Sequence, residues 1–190
     1  MYTREEFTEK FYPDALAVTK NTGIYPETLL AMAIVESSAL VNGKSLVGAG
    51  ATARLANNYF GIKASPAWKG KTIRLNTPKD ATPTSLFRSY PSVKDSFKDY
   101  VKFLSVNSRY KKSGVFNSPD YATQIINIAR AGYAESGQYA DIVTSVANKV
   151  SKAIDKLLLK PISKNKGIAG AAALFFLSLL VYKYRKNEAY

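Results

Sequence analysis

The clearest pattern along the chain is a nearly continuous apolar segment from position 26 to position 35 that ends in a single carboxylate, Glu36. Leu29, Ala33, Glu36 and Leu40 are spaced four, three and four residues apart, which is the spacing of one face of an α-helix. The sequence therefore predicts a helix that carries Glu36 near its end, in line with an apolar stripe.

Three segments later in the chain also have helical character. Ser92 and Asp95 resemble a capping box, and apolar residues at helical spacing continue that helix to about position 105. A second helix is predicted to begin near position 118, with Gly132 as its C-terminal cap, and a third runs from Tyr139 to about position 160. Near the N terminus, Pro13 is expected to divide one helical segment into two.

The helical period is lost between positions 64 and 90. Residues 72–77 alternate between polar and apolar positions, which predicts a small hairpin or irregular β lobe. Residues 37–56 are small and rich in Gly and Ala, and we expect a loop there. The pattern as a whole predicts the α+β class with mainly α-helical structure.

Two amino acids are missing from all 190 positions: the chain has no Cys and no His. Their absence excludes thiol nucleophiles, Ser-His-Asp triads and the usual zinc sites, so an enzyme of this composition uses carboxylates, Tyr, Lys or Ser. No metal or other cofactor is expected. The net charge of +13 suits a polyanionic partner such as nucleic acid, anionic lipid or bacterial cell wall.

A carboxyl group in line with an apolar stripe is costly to ionise. Burial raises its pKa and tends to keep the proton on, which a general acid working near neutral pH requires. Glu36 is therefore a candidate general acid. The alternative is a Glu at a helix end that turns outward to water.

Six short motifs follow one another in an order that resembles a known family. They are Glu36-Ser37-Ser38, residues 57–63, Trp68-Lys69-Gly70, Phe87-Arg88-Ser89-Tyr90, Asn107-Ser108-Arg109-Tyr110 and Gly132-Tyr133-Ala134. Over about residues 11–150 they resemble the bacterial endo-β-N-acetylglucosaminidases that cut peptidoglycan, a group that includes the flagellar-rod cell-wall hydrolase. The resemblance implies a lysozyme-like fold with a small β lobe, in which Glu36 is the catalytic acid.

The resemblance also implies further site residues. Tyr133 matches a Tyr that lines the active site of similar enzymes and supports the reaction, so it is a candidate catalytic residue. The amides and rings of residues 57–63 suit the acetamido groups and apolar faces of amino sugars. The candidate substrate-binding residues are Asn58, Tyr59, Phe60, Trp68, Arg109 and Tyr139.

A second carboxylate is expected in the β lobe, across the cleft from Glu36. Asp80 is the one carboxylate in the sequence between Glu36 and Asp95, and it is displaced from the position of the Glu in similar enzymes. Two-carboxylate glycosidases hold the pair about 5–5.5 Å apart when they retain the anomeric configuration and about 6.5–9.5 Å apart when they invert it. Either Asp80 supplies the second catalytic group, or the 2-acetamido group of the substrate acts as the nucleophile.

Residues 167–182 contain no charge and are flanked by Lys and Arg. As a helix they span about 24 Å, slightly less than a hydrocarbon core of about 30 Å. This pattern favours a single-pass transmembrane anchor over a buried helix. The predicted organisation is a lysozyme-like glucosaminidase domain over 1–160, a basic linker over 161–166, the C-terminal transmembrane helix over 167–182 and a basic tail over 183–190.

Together these expectations describe a membrane-anchored peptidoglycan hydrolase that cleaves the β-1,4 bond after N-acetylglucosamine. Its expected partners are peptidoglycan glycan strands and, through the C-terminal helix, a membrane; no nucleic acid is expected, because no binding motif is recognised. The pairing of such a domain with an anchor suggests a lysis or penetration enzyme of a bacteriophage, located in the cell envelope or in the membrane of a virion. Two alternatives stay open, a lytic transglycosylase and a non-catalytic, membrane-tethered wall-binding module.

Overall fold

The computed structural model describes residues 1–75, 85–134 and 136–159, and this part of the chain is mainly helical. In order, the elements are α1 (Arg4–Thr19), α2 (Pro26–Ser37), β1 (Ala39–Val41), β2 (Lys44–Leu46), α3 (Ala51–Ala56), β3 (Thr72–Leu75), β4 (Ser85–Arg88), α4 (Val93–Val106), α5 (Ser108–Lys112), a 3₁₀ turn (Val115–Asn117), α6 (Tyr121–Arg130) and α7 (Tyr139–Leu159). The prediction of a mainly helical chain with a small β component is confirmed, and the arrangement is consistent with a lysozyme-like fold.

Helix α2 is the central element of the fold. Pro26 occupies its first turn, where a residue without a backbone N–H leaves no donor unpaired. Leu29, Leu30 and Met32 are fully buried, and α1, α6 and α7 pack around the helix. Because α2 is enclosed in this way, its C-terminal end is a fixed support for Glu36.

The helices α4 and α7 are amphipathic and bury one face each. On α7, Val143, Val150 and Ile154 recur at helical spacing and lie in the core. Helix α4 begins after Ser92, whose hydroxyl oxygen accepts a hydrogen bond from the backbone N–H of Asp95 at 3.2 Å. The predicted start of α4 is therefore confirmed.

Helix α1 runs without interruption, although the sequence predicts a break at Pro13. Pro13 lies on the exposed side of the helix, while Phe7, Tyr12 and Ala15 are fixed in the core on the other side. The backbone hydrogen bond that proline removes therefore falls on the solvent side, where a helix accommodates such a defect by bending around the core. The predicted break is wrong for this reason.

The segment between α2 and α3 is a hairpin where a loop is predicted. Strand β1 pairs with β2 in antiparallel register, and Asn42 and Gly43 connect them with φ values of 48° and 76°. Two consecutive positive φ values are the geometry of a type I′ turn, which an Asn-Gly pair favours. The loop prediction is therefore wrong for residues 39–46, and also for residues 51–56, which form α3.

The second hairpin, β3 with β4, forms the predicted β lobe. Its register pairs Thr72 with Arg88. On the other edge of β4, the N–H of Ala64 donates to the carbonyl of Leu86 at 2.9 Å, and the N–H of Arg88 donates to the carbonyl of Ile62 at 3.0 Å. These backbone bonds fix the lobe to the 57–63 loop.

At the C-terminal end the fold class needs a correction. Among residues 1–75, 85–134 and 136–159, no helix is both long enough and apolar enough to cross a membrane. Helix α7, which ends at Leu159, is amphipathic and carries charged residues along its outer face. The described residues thus form a helical domain with two small sheets, and none of their helices is the transmembrane helix that the sequence pattern predicts. Residues 167–182, with the predicted linker and tail on either side, lie outside the described residues.

Candidate active site

Glu36 occupies the last turn of α2, and the loop after β2 holds that end of the helix. The N–H of Gly48 donates to the side-chain oxygen of Ser37 at 3.2 Å, and the N–H of Gly50 donates to the Ser37 carbonyl at 2.8 Å. Gly48 has a φ of +76°, and a Cβ there would lie 2.8 Å from the hydroxyl of Tyr59, so only glycine suits this position. The helix end is therefore anchored one residue away from Glu36.

The carboxyl of Glu36 is hydrogen-bonded to the first residue of α7. The hydroxyl of Tyr139 donates a short hydrogen bond to Oε1 of Glu36. Burial raises the pKa of the Glu36 carboxyl, whereas the Tyr139 hydrogen bond lowers it, and burial is the larger effect. Burial also raises the pKa of the Tyr139 phenol, which therefore remains a donor. Glu36 thus has the raised pKa that a general acid needs.

Glu36 opens onto a cleft of about 480 Å³, a size within the range of ligand pockets. The cleft is lined by Glu36, Phe60, Gly61, Ile62, Lys63, Phe103, Arg109, Tyr133, Ala134 and Tyr139. This lining combines aromatic rings, a carboxyl group and two cationic side chains. Such a surface suits sugar rings that carry acidic substituents.

Tyr133 lines the cleft from the turn between α6 and α7. Helix α6 ends at Arg130, and Gly132 follows with a φ of +79°, in agreement with the predicted C-terminal cap. The ring centroid of Tyr133 lies 5.8 Å from that of Tyr139 and 6.0 Å from that of Tyr100. Burial raises the pKa of the Tyr133 hydroxyl, so it is available as a neutral hydrogen-bond donor.

Arg109, at the start of α5, also lines the cleft. One guanidinium nitrogen donates to the carbonyl of Gly132 at 3.2 Å, and another donates to the hydroxyl of Tyr110 at 2.7 Å. Its guanidinium carbon lies 4.8 Å from the centroid of the Tyr110 ring. The side chain is exposed, so these contacts hold a solvated positive charge at the cleft.

Asn58, predicted to bind substrate, lies in the core instead. It is fully buried, and its amide nitrogen donates to the carbonyls of Ile62 and Arg88, both at 2.9 Å. Its Oδ1 accepts a hydrogen bond from the N–H of Ile62 at 3.0 Å. The polar atoms of Asn58 are therefore used within the protein, where they connect the 57–63 loop to β4.

The two aromatic residues that follow differ from each other. Tyr59 is 5% exposed and stacks on Phe7 with 5.3 Å between ring centroids, so the structure places this predicted substrate-binding residue in the core. Phe60 is 4% exposed and its ring stacks on Tyr100 at 3.9 Å between centroids, so it too is part of the core, but it also borders the cleft. The adjacent position in the loop thus reaches the cleft while Tyr59 does not.

Trp68, also predicted to bind substrate, does not line the Glu36 cleft. It lines a separate groove of about 650 Å³, which is formed by Trp68, Gly70, Lys71, Ser89, Tyr90, Pro91, Asp95, Lys98, Asp99 and Lys102. We refer to this as the Trp68 groove. The groove shares none of these residues with the cleft.

Asp80, the predicted second carboxylate, falls within residues 76–84 and lies outside the described residues. Among the described residues that line the cleft, Glu36 is the single carboxylate. The described part of the chain also contains no cluster of three or more Asp, Glu, His or Cys side chains of the kind that binds a metal ion.

The structure adds two features that the sequence does not predict. Phe103 lines the cleft, and Tyr139 contacts the carboxyl of Glu36 directly, in addition to lining the cleft. Phe103 lies beside the buried stripe of α4 rather than on it, and a large aromatic residue off the stripe is a signal for such a role. No local signal points to the Tyr139 contact, because Glu36 and Tyr139 lie 103 positions apart in the sequence.

Comparisons with known proteins agree with this geometry. Residues 12–152 match the glucosaminidase family, described as mannosyl-glycoprotein endo-beta-N-acetylglucosaminidase. The peptidoglycan hydrolase FlgJ of Vibrio parahaemolyticus is 38% identical over 152 residues, which cover 77% of this chain and 47% of that protein. The chain thus spans about half the length of this relative. The resemblance predicted from the six motifs is confirmed.

Solved structures show the same fold. The glycoside hydrolase domain of Salmonella typhimurium FlgJ superimposes with a TM-score of 0.63 at 25% identity, over 82% of this chain and 92% of that chain. The catalytic domain of the autolysin Auto from Listeria monocytogenes has a TM-score of 0.63 at 25% identity, over 81% of this chain and 88% of that chain. The described architecture is therefore similar to that of cell-wall hydrolase domains.

Proposed function

This chain belongs to the glucosaminidase family, and from that premise we propose that it is a peptidoglycan hydrolase that cleaves the β-1,4 bond after N-acetylglucosamine. The observation that carries the proposal is the partly buried carboxyl of Glu36, with its raised pKa, at a cleft lined by aromatic and cationic side chains. A carboxyl group that keeps its proton near neutral pH is the general acid that glycosidic bond cleavage requires.

The hydrogen bond from Tyr139 indicates which oxygen of Glu36 donates the proton. Because Oε1 accepts the hydrogen bond from the Tyr139 hydroxyl, we assign proton donation to Oε2. In the proposed reaction Oε2 donates this proton to the glycosidic oxygen as the bond from that oxygen to C1 of N-acetylglucosamine breaks. Tyr139 then stabilises the carboxylate that remains, since a hydrogen bond to the ionised form favours it.

The cationic side chains at the cleft are suited to pair with the acidic substituents of the polymer. Stem peptides of peptidoglycan carry carboxylates, and the guanidinium of Arg109 is held at the cleft by the Gly132 carbonyl and the Tyr110 hydroxyl. We assign Arg109 to substrate binding on this basis, and Phe60 to contact with an apolar sugar face. Tyr133, a neutral donor beside Tyr139, is assigned to hydrogen bonding at the reacting sugar.

The second catalytic group is either Asp80 or the substrate itself. In the substrate-assisted route, the carbonyl oxygen of the 2-acetamido group attacks C1 as the leaving oxygen takes the proton of Glu36, which gives an oxazolinium ion. Water then attacks C1, loses a proton to the Glu36 carboxylate and releases a reducing sugar with retained configuration. A stable thiazoline analogue of this intermediate is expected to inhibit the enzyme if this route operates, and Asp80→Asn is expected to abolish activity if it does not.

Substitution of the acid tests the proposal. Glu36→Gln is expected to abolish turbidity loss on purified cell walls while wall binding persists, because the amide keeps the shape of the side chain but cannot donate a proton in the same way. Glu5→Gln is the matched control, since Glu5 is an exposed residue of α1 away from the cleft. Retained activity in Glu36→Gln would refute the assignment.

The products identify the reaction. Mass analysis of fragments released by the wild-type protein is expected to find N-acetylglucosamine at the reducing ends. Anhydro-muramic ends would instead identify a lytic transglycosylase, and binding without release of fragments would identify a wall-binding module. Attachment to a membrane and a role in a bacteriophage form no part of the proposal, because their motivation was a helix that the described fold lacks.

A further inference from the structure

The Trp68 groove is a second depression, and it lies in the same part of the structure as the active-site cleft. Backbone bonds join the two, because Arg88 of β4 pairs with Ile62, which lines the cleft, while Ser89 and Tyr90 directly after β4 line the groove. On α4, Phe103 lines the cleft and its neighbour Lys102 lines the groove. The same elements, β4 with the residues after it and α4, therefore support both depressions.

The aromatic side of the groove is fixed in place. The indole N–H of Trp68 donates to the carbonyl of Lys71 at 3.0 Å, and the guanidinium carbon of Arg88 lies 4.6 Å from the indole centroid. The ring centroids of Tyr90 and Trp68 lie 5.9 Å apart in a T-shaped arrangement. Gly70 lies so close that a Cβ there would be 2.3 Å from the indole, which excludes any larger residue without a shift of the ring. A partly exposed indole held in this way is a preorganised binding surface.

The acidic residues of the groove already have partners. Oδ2 of Asp99 accepts hydrogen bonds from Arg88 and from the hydroxyl of Tyr90, both at 2.7 Å. Asp95 accepts a hydrogen bond from the Ser92 hydroxyl at 2.7 Å. Asp99 is thus paired with the positive charge of Arg88, and hydrogen bonds hold both carboxylates within the protein.

The lysines of the groove, unlike its two aspartates, lie on the exposed surface. Lys71, Lys98 and Lys102 are all exposed, and only Lys98 has an ion-pair partner among the described residues, Asp95 at 3.5 Å. The groove therefore combines a rigid aromatic side with exposed ammonium groups that have few acidic partners in the described part of the chain. This combination selects for an anionic ligand with an apolar face.

We propose that the Trp68 groove binds the carboxylate-bearing stem peptides of the bacterial wall and holds the polymer while the Glu36 cleft acts on the glycan. The proposal rests on the proposed function, which makes peptidoglycan the polymer that the protein meets. The carboxylates of the stems pair with Lys71 and Lys102, and the aliphatic parts of the peptide contact the Trp68 indole. The groove is thus a second contact with the same polymer, which raises the residence time of the enzyme on its substrate.

Binding to two forms of the wall tests this inference. The experiment compares the retention of Glu36→Gln protein, which is expected to bind without degrading the wall, on intact purified sacculi and on immobilised, peptide-free glycan strands that an amidase has released from sacculi. The test variant adds Lys71→Glu and Lys102→Glu, and the matched control adds Lys20→Glu and Lys149→Glu. Lys20 and Lys149 are exposed and line neither the cleft nor the groove, so both variants change the net charge equally.

On intact sacculi the groove variant is expected to bind roughly tenfold more weakly than the control, because two charge contacts become repulsive. On peptide-free glycan strands the two variants are expected to bind alike, and equal thermal unfolding temperatures exclude misfolding as the cause. Equal binding of both variants to intact sacculi overturns the proposal, and an equal loss on peptide-free glycan strands overturns the assignment to stem peptides. Whether the wild-type protein releases wall fragments is measured separately, so a failure of the proposed hydrolase function is distinguishable from a failure of the groove.

Discussion

Substitution of Asn58 by Ala separates a structural role from a role in substrate binding. In the structure the amide of Asn58 connects three backbone groups: it donates to the carbonyls of Ile62 and Arg88 and accepts from the N–H of Ile62. Asn58→Ala removes all three hydrogen bonds at a fully buried position. The N–H of Ile62 and the carbonyl of Arg88 then lose this partner, whereas the carbonyl of Ile62 still accepts from the N–H of Arg88.

The expected loss of stability follows from these bonds. At about 1 kcal/mol of net stability for each hydrogen bond, the free energy of unfolding falls by about 3 kcal/mol. For a domain of this size such a loss lowers the unfolding temperature by about 6–12 °C. Because the bonds join the 57–63 loop to β4, the loss is also expected to loosen the side of the cleft that Phe60 and Ile62 form.

Urea unfolding followed by circular dichroism measures the change, with Asn117→Ala as the control. Asn117 is exposed, and its side chain makes no hydrogen bond within the described part of the chain, so its removal is expected to change the stability by less than about 0.5 kcal/mol. An Asn58→Ala protein that unfolds at the wild-type urea concentration but has a raised KM would refute the structural assignment. That result would return Asn58 to the substrate-binding residues predicted from the sequence.

Three other substitutions test the contacts around the site and the groove. Tyr139→Phe removes the hydrogen bond that lowers the pKa of Glu36. The alkaline limb of the kcat/KM profile against pH is therefore expected to move to higher pH. An unmoved limb would contradict the role of Tyr139 in setting the pKa of Glu36. Burial raises the folded-state pKa of Glu36 above the ordinary 4.5, so the wild-type protein loses stability as the pH rises from the unfolded-state pKa through the raised one. Glu36→Gln removes this loss and is expected to be more resistant to urea than the wild type at about pH 8, and this difference is expected to vanish below about pH 4. A difference that does not depend on pH would exclude the ionisation of Glu36 as its cause. Asp99→Asn leaves Arg88 without its 2.7 Å ion pair at a mostly buried position. Thermal or urea unfolding is expected to show that the free energy of unfolding falls by about 3 kcal/mol. A loss below about 1 kcal/mol would mean that solvent screens the pair.

Local signals in the sequence predicted the helices well because those signals act over a few residues. The Ser92 cap and the Gly132 terminus each depend on hydrogen bonds or φ values within one turn. The uninterrupted helix through Pro13 differs, because it depends on which side of α1 faces the core. The hairpin at Asn42 and Gly43 did have a local signal, but the Gly- and Ala-rich residues around it favoured a loop.

The site itself depends on contacts between distant positions, and this limits what a sequence predicts. The side chain of an Asn in a loop can hydrogen-bond to a sugar or to a backbone carbonyl. In this structure Asn58 donates to the backbone carbonyl of Arg88, which is 30 positions away in the sequence. Trp68 likewise lies in a groove of its own because Arg88 and Tyr90 hold its ring there. Residue type identified Glu36 as a candidate acid, but only the fold shows which groups surround its carboxyl.

The separation of 103 positions between Glu36 and Tyr139 has a consequence for the synthesis of the protein. A nascent chain presents the acid early, yet the phenol that orients it comes from α7, the last helix of the described structure to leave the ribosome. Partly made or truncated chains that lack α7 therefore contain Glu36 without its partner and without the helix that packs along α2. The order of residues along the chain thus delays the assembly of the Glu36 site until α7 has been made.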